Sequence, residues 1–436
     1  MGLLYHAYAA LSSGIFFSCL GPFWTYTKIS GRHRMDLRER IGLVPFLGSM
    51  NAGSPRIWLH AASLGEVKVA AGLKRHLEAL LPGCSIMVST STRHGRDLAT
   101  ELFNDHPVIY APVDAPFSVR RAISRTRPDV MVFLETEIWP VWITEAKRMG
   151  VKVALVNGRI SLRSIKRYLA LKPFFRDVLK NVDVFSMILD EDGDRIVRMG
   201  ADPLKVTING NAKYELLTLE TDPSIEEGAR KILNLKTNQV VLVAGSTRQG
   251  EEEIVLDAYE GISRRFPETV LIIAPRHIVR TSAIESVLKS RSVRYQLWTD
   301  LCAGARRVEP VVVINTFGEL QKLYSVGTIV FCGASLVPLG GQNPLEPASW
   351  GKAVFYGPFM EDFLDAKALL ESVNAGIEVA DAGQFANKAV ELLGDPEALA
   401  RRGERARKAL LTKIGAAERH AGVVAELAGK SVGSKQ

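Results

Sequence analysis

Short apolar runs, each closed by a polar or glycine-rich loop and followed by an amphipathic stretch, recur along most of this chain. That repeat constrains the fold more than any other feature. The runs in the first half are Ile57–Ala62, Cys84–Thr92, Val108–Val113, Asp129–Leu134, Val151–Val156, Val184–Leu189 and Lys205–Asn209. Between them lie helical stretches, among them Val67–Leu81, Arg96–Phe103, Pro116–Arg125, one ending at Met149, and a long one over Leu162–Leu179. Strands apolar on both faces and separated by helices belong to parallel, doubly wound sheets. After a polar stretch, Glu215–Asp222, a second series begins with Val240–Ala244, Val270–Ala274, Val311–Asn315, Ile329–Cys332 and Ala353–Tyr356. It ends in helices over Gln384–Ala428. A chain of 436 residues exceeds one ordinary core. The reading is therefore α/β, with two Rossmann-like domains, 28–216 and 217–436, facing a cleft.

The loop after the first strand carries Ser63, Gly65 and Glu66. A strand that turns into a helix leaves its loop at the carboxyl edge of the sheet, where α/β proteins bind ligands. Glycine at 65 suits a backbone conformation or close approach that a side chain blocks. Glu66 falls at the helix start, where the dipole favours its charge and holds it ionised. On local grounds it reads equally as a cap or as a catalytic base.

From Met1 to Thr27 there is no Asp, Glu, Lys or Arg, and Lys28, Arg32, His33, Arg34, Arg38 and Arg40 follow. Residues 1–27 read as a membrane anchor, spanning or lying in the interface, and the basic block keeps the body on the cytoplasmic side of the inner membrane. Contact with membrane lipids through this segment follows.

The hydrophobic fraction is 47%, the charged fraction 23% and the net charge +8, as for a globular chain with an anionic partner. Nucleic acid is not expected as that partner, because no recognition helix or aromatic-basic platform is present. Four cysteines at 19, 84, 302 and 332 have neither disulfide nor zinc spacing, and buried, reduced thiols are expected. Neither a dinucleotide fingerprint nor a P-loop occurs. Asp190-Glu-Asp-Gly-Asp194 fails the calcium-loop pattern and reads as a strand end before a helix capped near Arg195. No metal site and no cofactor are expected. In the second half, strand ends carry Gly245-Ser-Thr247, Pro275-Arg-His277, Asn315-Thr-Phe-Gly-Glu319, Gly333-Ala-Ser335 and Gly340-Gly-Gln-Asn-Pro-Leu-Glu346. Backbone amides freed by glycines, and the Arg276 guanidinium, suit a phosphate, with Asn343 and Glu346 available for ribose hydroxyls.

His60-Ala-Ala-Ser-Leu-Gly-Glu66, Glu135-Thr-Glu-Ile-Trp-Pro140, Asn157-Gly-Arg-Ile-Ser161, Pro275-Arg-His277 and the 340–346 loop together resemble the motifs of the Kdo transferases. These bacterial enzymes move 3-deoxy-D-manno-octulosonic acid (Kdo) from CMP-Kdo onto lipid A precursors in lipopolysaccharide assembly. The resemblance runs from the apolar N-terminus to about residue 360 and implies the GT-B architecture, a membrane anchor and a donor-binding second domain. It implies Glu66 as general base, Glu135 (Glu137 being the alternative) as a transition-state residue, and Lys213 as a stabiliser of developing charge. Donor contacts are implied for Pro275, Arg276, Phe317, Gly318, Glu319, Asn343, Pro344, Leu345 and Glu346. Asn211 and Ala212 depart from the motif around Lys213 without removing a functional group. The implied partners are CMP-Kdo and a phosphorylated, acylated lipid A precursor, and the implied reaction is inverting glycosyl transfer. Two other readings share parts of the pattern: another nucleotide-sugar transferase or 2-epimerase, and a non-catalytic nucleotide-binding membrane protein. The first leaves the anchor and the acidic motifs unexplained, and the second predicts no dependence on Glu66.

Overall fold

The computed structural model describes residues 3–30, 34–45, 55–219 and 221–433. Arg32 and His33 of the basic block lie outside the described residues. The chain divides into two compact units. Residues up to Leu216, with those from Ile414 onward, form the first, and Leu217–Lys413 form the second.

The first unit is built on β1 (Arg56–His60), β2 (Ser85–Thr90), β3 (Val108–Tyr110), β4 (Val130–Leu134), β5 (Lys152–Gly158), β6 (Val184–Met187) and β7 (Val206–Ile208). These strands pair in parallel in the order β3-β2-β1-β4-β5-β6-β7. The second unit is built on β8 (Val241–Thr247), β9 (Val270–Pro275), β10 (Tyr295–Leu297), β11 (Val311–Val313), β12 (Ile329–Cys332), β13 (Val354–Tyr356) and β14 (Gly376–Glu378). Its parallel order is β10-β11-β9-β8-β12-β13-β14. β1 to β9 and β11 to β13 coincide with the apolar runs. β10 and β14 escape a reading of hydrophobicity because they are short, half-buried edge strands. Each sheet separates two apolar clusters, so both faces are covered by helices. The order reverses beside β1 in one sheet and beside β8 in the other, which makes the carboxyl ends of those strands the natural ligand edges.

Several expectations need correction. The stretch 162–179 is not one helix but two, Leu162–Ala170 and Lys172–Leu179, because Pro173 lacks the N–H that a continuous helix requires. The Asp190 cluster is itself helical. Asp190, Glu191 and Asp192 form the first turn of Asp190–Met199, and Asp192 Oδ1 accepts from Ile160 N at 2.8 Å. The final helix, Ala416–Gly433, belongs to the first unit and not to the second. Its row of Ala417, Ala421, Val424 and Ala428 is buried against the Leu64–Leu80 helix. The cysteines are free, but Cys19 and Cys302 are exposed and Cys332 is the buried one.

The apolar N-terminus forms the helix Leu3–Ser30, yet among the described residues no helix is long and apolar enough to cross a membrane. Its first turns dock on the first unit. Tyr5 OH donates to Glu145 Oε1 at 3.2 Å, Tyr8 OH donates to Asp114 Oδ2 at 2.8 Å, and Tyr8 packs on Phe174. Leu4, Leu11 and Ile15 stay exposed. They are spaced by seven and four residues, and so share one face of the helix. Arg40, from the basic block, donates to Ser91 O at 2.9 Å and lies over the Tyr110 ring.

Candidate active site

β1 and β4 are hydrogen-bonded neighbours, with His60 opposite Phe133, so the loops that follow them emerge side by side. The first loop ends in Ser63, the N-cap of the Leu64–Leu80 helix, and Glu66 occupies the third helical position. Ser63 Oγ donates to Glu66 Oε1 at 2.7 Å, and Ala62 N donates to Glu66 Oε2 at 2.8 Å. Glu66 N returns a longer bond to Ser63 Oγ at 3.4 Å, a reciprocal arrangement close to a capping box. Glu66 is only 6% exposed. Burial pushes its pKa up to about 7; the Ser63 and Ala62 hydrogen bonds oppose that, while the Glu135 and Glu137 charges add to it. The expectation that the helix start keeps Glu66 ionised is thus reversed, because desolvation outweighs the dipole. The expected need for glycine at 65 also fails on geometry. The residue is not left-handed, and a Cβ there would meet Lys213 Cε and Nζ at 3.8 Å, an ordinary contact.

The second loop begins at Glu135, whose left-handed backbone (φ 56°) is rare for a side-chain-bearing residue. Its amide donates to Val156 O at 3.0 Å, tying the turn to β5. The Glu135 carboxylate forms an ion pair with Lys213, which follows β7, and Lys213 in turn lies over the Glu66 turn. Glu66, Glu135 and Lys213 are therefore gathered at one edge of one sheet. Glu137 adds another carboxylate. Although burial opposes it, the neighbouring His60 ring and the hydrogen bond donated by Trp139 Nε1 hold its pKa below the usual value. His60 Nε2 lies 3.7 Å from Glu137 Oε2, and its Nδ1 lies 2.9 Å from Ser89 Oγ.

Two neighbours have roles that residue type did not indicate. Asn157 sits at a bulge in β5, left-handed at φ 53°, and its buried Oδ1 accepts from Ala212 N at 2.9 Å. It thereby ties the Lys213 segment to the sheet. His60 is fully buried among Phe133, Trp139 and Trp142, and braces Glu137 from below. An apolar depression lined by Arg56, Trp58, Met87 and Pro128 opens at the starts of these strands, far along the sheet from the carboxylates.

The second unit has its own bulge at the end of β8, where Ser246 is left-handed at φ 56°. Arg276 N donates to Thr247 O at 3.1 Å, joining the loops after β8 and β9, and the Arg276 side chain is exposed. Phe317 is 71% exposed, Gly318 is left-handed, and Glu319 pairs with Lys322 at 3.7 Å. Asn343 Oδ1 accepts from Leu345 N at 3.1 Å, and Pro344 caps the short helix that contains Glu346. Leu345 is fully buried and offers a ligand only its backbone.

Some amides expected to face a phosphate are already engaged. The buried carboxylate of Glu251 accepts from the amides of Arg248, Ala334, Ser335 and Leu336 at 2.6–2.9 Å. Gly341 N donates to Ala334 O at 2.8 Å. The anion in this amide nest is the protein's own. Glu251 stands in a conspicuous acidic triplet, but nothing local to the triplet points to partners more than eighty residues away. Among the described residues no group of three or more His, Cys, Asp or Glu side chains could hold a metal ion.

Two parallel α/β units, with polar loops at the carboxyl ends of both sheets, define the class as GT-B-like in architecture. Solved structures agree on the fold. A UDP-GlcNAc 2-epimerase from Neisseria meningitidis superimposes with TM-score 0.60, 14% identity, 86% of this chain and 100% of that one. A glycosyltransferase from Rickettsia africae does so with TM-score 0.60, 14% identity, 87% of this chain and 100% of that one. Sequence is more specific. The family model "3-Deoxy-D-manno-octulosonic-acid transferase (kdotransferase)" matches residues 35–216. The 3-deoxy-D-manno-octulosonic acid transferase of Haemophilus influenzae is 31% identical over 89% of this chain and 91% of its own length. A bifunctional glycosyltransferase/methyltransferase of Fusobacterium nucleatum is 35% identical over 77% of this chain, which spans about half (52%) of that protein's length. The chain belongs to the 3-deoxy-D-manno-octulosonic acid transferase family.

Proposed function

We propose that this protein is an inverting glycosyltransferase that moves Kdo from CMP-Kdo to a hydroxyl of a phosphorylated, acylated lipid A precursor. The observation that carries the reading is the set of Glu66, Glu135 and Lys213 gathered at the switch point of the first sheet in a chain of this family. Transfer with inversion needs a base to take the acceptor proton as the anomeric bond breaks. A carboxyl poised at about 7 shares its proton readily near neutral pH, whereas an ordinary carboxylate is a weaker base. Paired to Glu135, Lys213 supplies positive charge beside an anionic cluster that must receive an acidic sugar. The exposed Arg276 and Phe317, with Glu319, Asn343 and Glu346, offer the second unit's contacts for CMP. CMP carries one phosphate, which Arg276 can hold bidentately. We assign no metal and no cofactor to the reaction.

The acceptor is a lipid, which suits attachment to the cytoplasmic face of the inner membrane. The exposed stripe of Leu4, Leu11 and Ile15 is the apolar contact assigned to that attachment. The direct test is to incubate the detergent-solubilised protein with CMP-Kdo and a tetraacylated lipid A precursor, and to count added sugars by mass spectrometry. Mass increments of one or more Kdo units are expected. An unmodified acceptor, with donor consumed only by hydrolysis, contradicts the reading.

A further inference from the structure

The helix Ala416–Gly433 contributes nothing to the chemistry assigned above, yet it grips both parts of it. Its small residues Ala417, Ala421, Val424 and Ala428 share a buried cluster with Val69, Ala70, Leu73 and Leu77 of the helix whose first turn carries Glu66. Gly72 faces the same row, and a Cβ built there would lie 3.8 Å from Ala417 Cβ, an ordinary contact.

The start of the same helix fastens the segment 209–215, which carries Lys213. Arg419 Nε donates to Asn209 O at 3.0 Å, and His420 Nε2 donates to Gly210 O at 2.9 Å. From the other side of Lys213, Glu215 Oε1 accepts from Ala417 N at 3.0 Å, and Glu215 Oε2 lies 4.0 Å from His76 Nε2 on the Glu66 helix. A carbonyl oxygen can only accept, so the His420 proton is on Nε2 and Nδ1 takes the Ser186 hydroxyl proton at 2.6 Å. Ser186 Oγ then accepts from Asn209 Nδ2 at 2.6 Å, which closes the chain of bonds. His420 is fully buried, and burial pushes its pKa down to about 4, so the ring is neutral at working pH.

We propose that Arg419 and His420 are positioning residues that clamp the 209–215 backbone and so hold the Lys213 ammonium against Glu135, beside the Glu66 turn. The inference rests on the transfer reaction proposed above and deepens it. Gly210 between the two clamped carbonyls is left-handed at φ 87°, a conformation that glycine adopts at little cost.

The test uses full-length protein and initial rates of Kdo transfer from CMP-Kdo. Arg419 is exposed, so Arg419→Ala leaves the fold intact even if a variant at the buried His420 does not. Arg419→Ala is expected to lower kcat about tenfold with the donor KM unchanged. In a Lys213→Ala background the same change is expected to cost nothing further, because it acts through that lysine. His420→Gln, which keeps an N–H donor, should retain more activity than His420→Leu. Equal losses in both backgrounds, or none in either, would overturn the proposal. Amide hydrogen exchange over 209–215 reads the clamp without any activity. Faster exchange in Arg419→Ala supports it and unchanged exchange refutes it. A Lys213→Ala enzyme with normal turnover instead contradicts the catalytic assignment of Lys213 and leaves the exchange result to decide the clamp.

Discussion

Glu66 shows two elementary effects opposing each other at one residue. Its place in the first helical turn and its bonds from Ser63 and Ala62 favour the carboxylate. Enclosure at 6% exposure favours the neutral acid, and the nearby Glu135 and Glu137 reinforce that preference. Burial prevails, and the pKa rises from 4.5 to about 7. The folded state then holds a proton that the unfolded chain has released. The group's contribution is therefore neutral below pH 4.5 and increasingly destabilising as pH rises toward 7, about 3 kcal/mol in total. Glu66→Gln removes that titration. The variant should gain melting temperature relative to wild type at pH 8, and the gain should shrink as pH falls to 4.5. A difference independent of pH contradicts the raised pKa. None of this was legible in the sequence, where Ser63 and Glu66 announce a helix start and leave its burial open.

At the scale of elements, the loops matter more than the strands. Glu251 fixes the β12 loop through the amides of Ala334, Ser335 and Leu336, while also accepting from Arg248 N. Each buried amide left unpaired costs roughly 1–3 kcal/mol, so Glu251→Ala should destabilise the second unit by several kcal/mol. Urea unfolding monitored on that unit checks this, and a loss below about 1 kcal/mol would show that water replaces the carboxylate freely. Apolar runs such as Val130–Leu134 announced themselves, because a strand covered on both faces has no polar positions to blur it. The half-buried Tyr295–Leu297 and the helix break before Pro173 did not. Glu135 and Lys213 were legible only through motif likeness. Their ion pair joins the ends of β4 and β7, nearly eighty residues apart. Glu251 escaped for the same reason.

At the scale of the whole molecule, both ends of the chain return to the first unit. The N-terminal helix docks through Tyr5 and Tyr8, with Leu4, Leu11 and Ile15 facing outward. Replacing Leu11 and Ile15 together by Glu should release the protein from anionic lipid vesicles in a flotation assay without moving its melting temperature. Undiminished flotation removes the stripe from the attachment. The last helix closes the first unit from its far side and explains why a boundary drawn once, near Leu216, describes the chain incompletely. The central claim is that Glu66 is the base of a Kdo transferase. Single-turnover transfer at saturating CMP-Kdo, compared between wild type and Glu66→Gln, tests it most directly. The account predicts a fall of roughly 10²–10⁴ in the rate with CMP affinity unchanged, and a variant that transfers Kdo within a few-fold of wild type would contradict it.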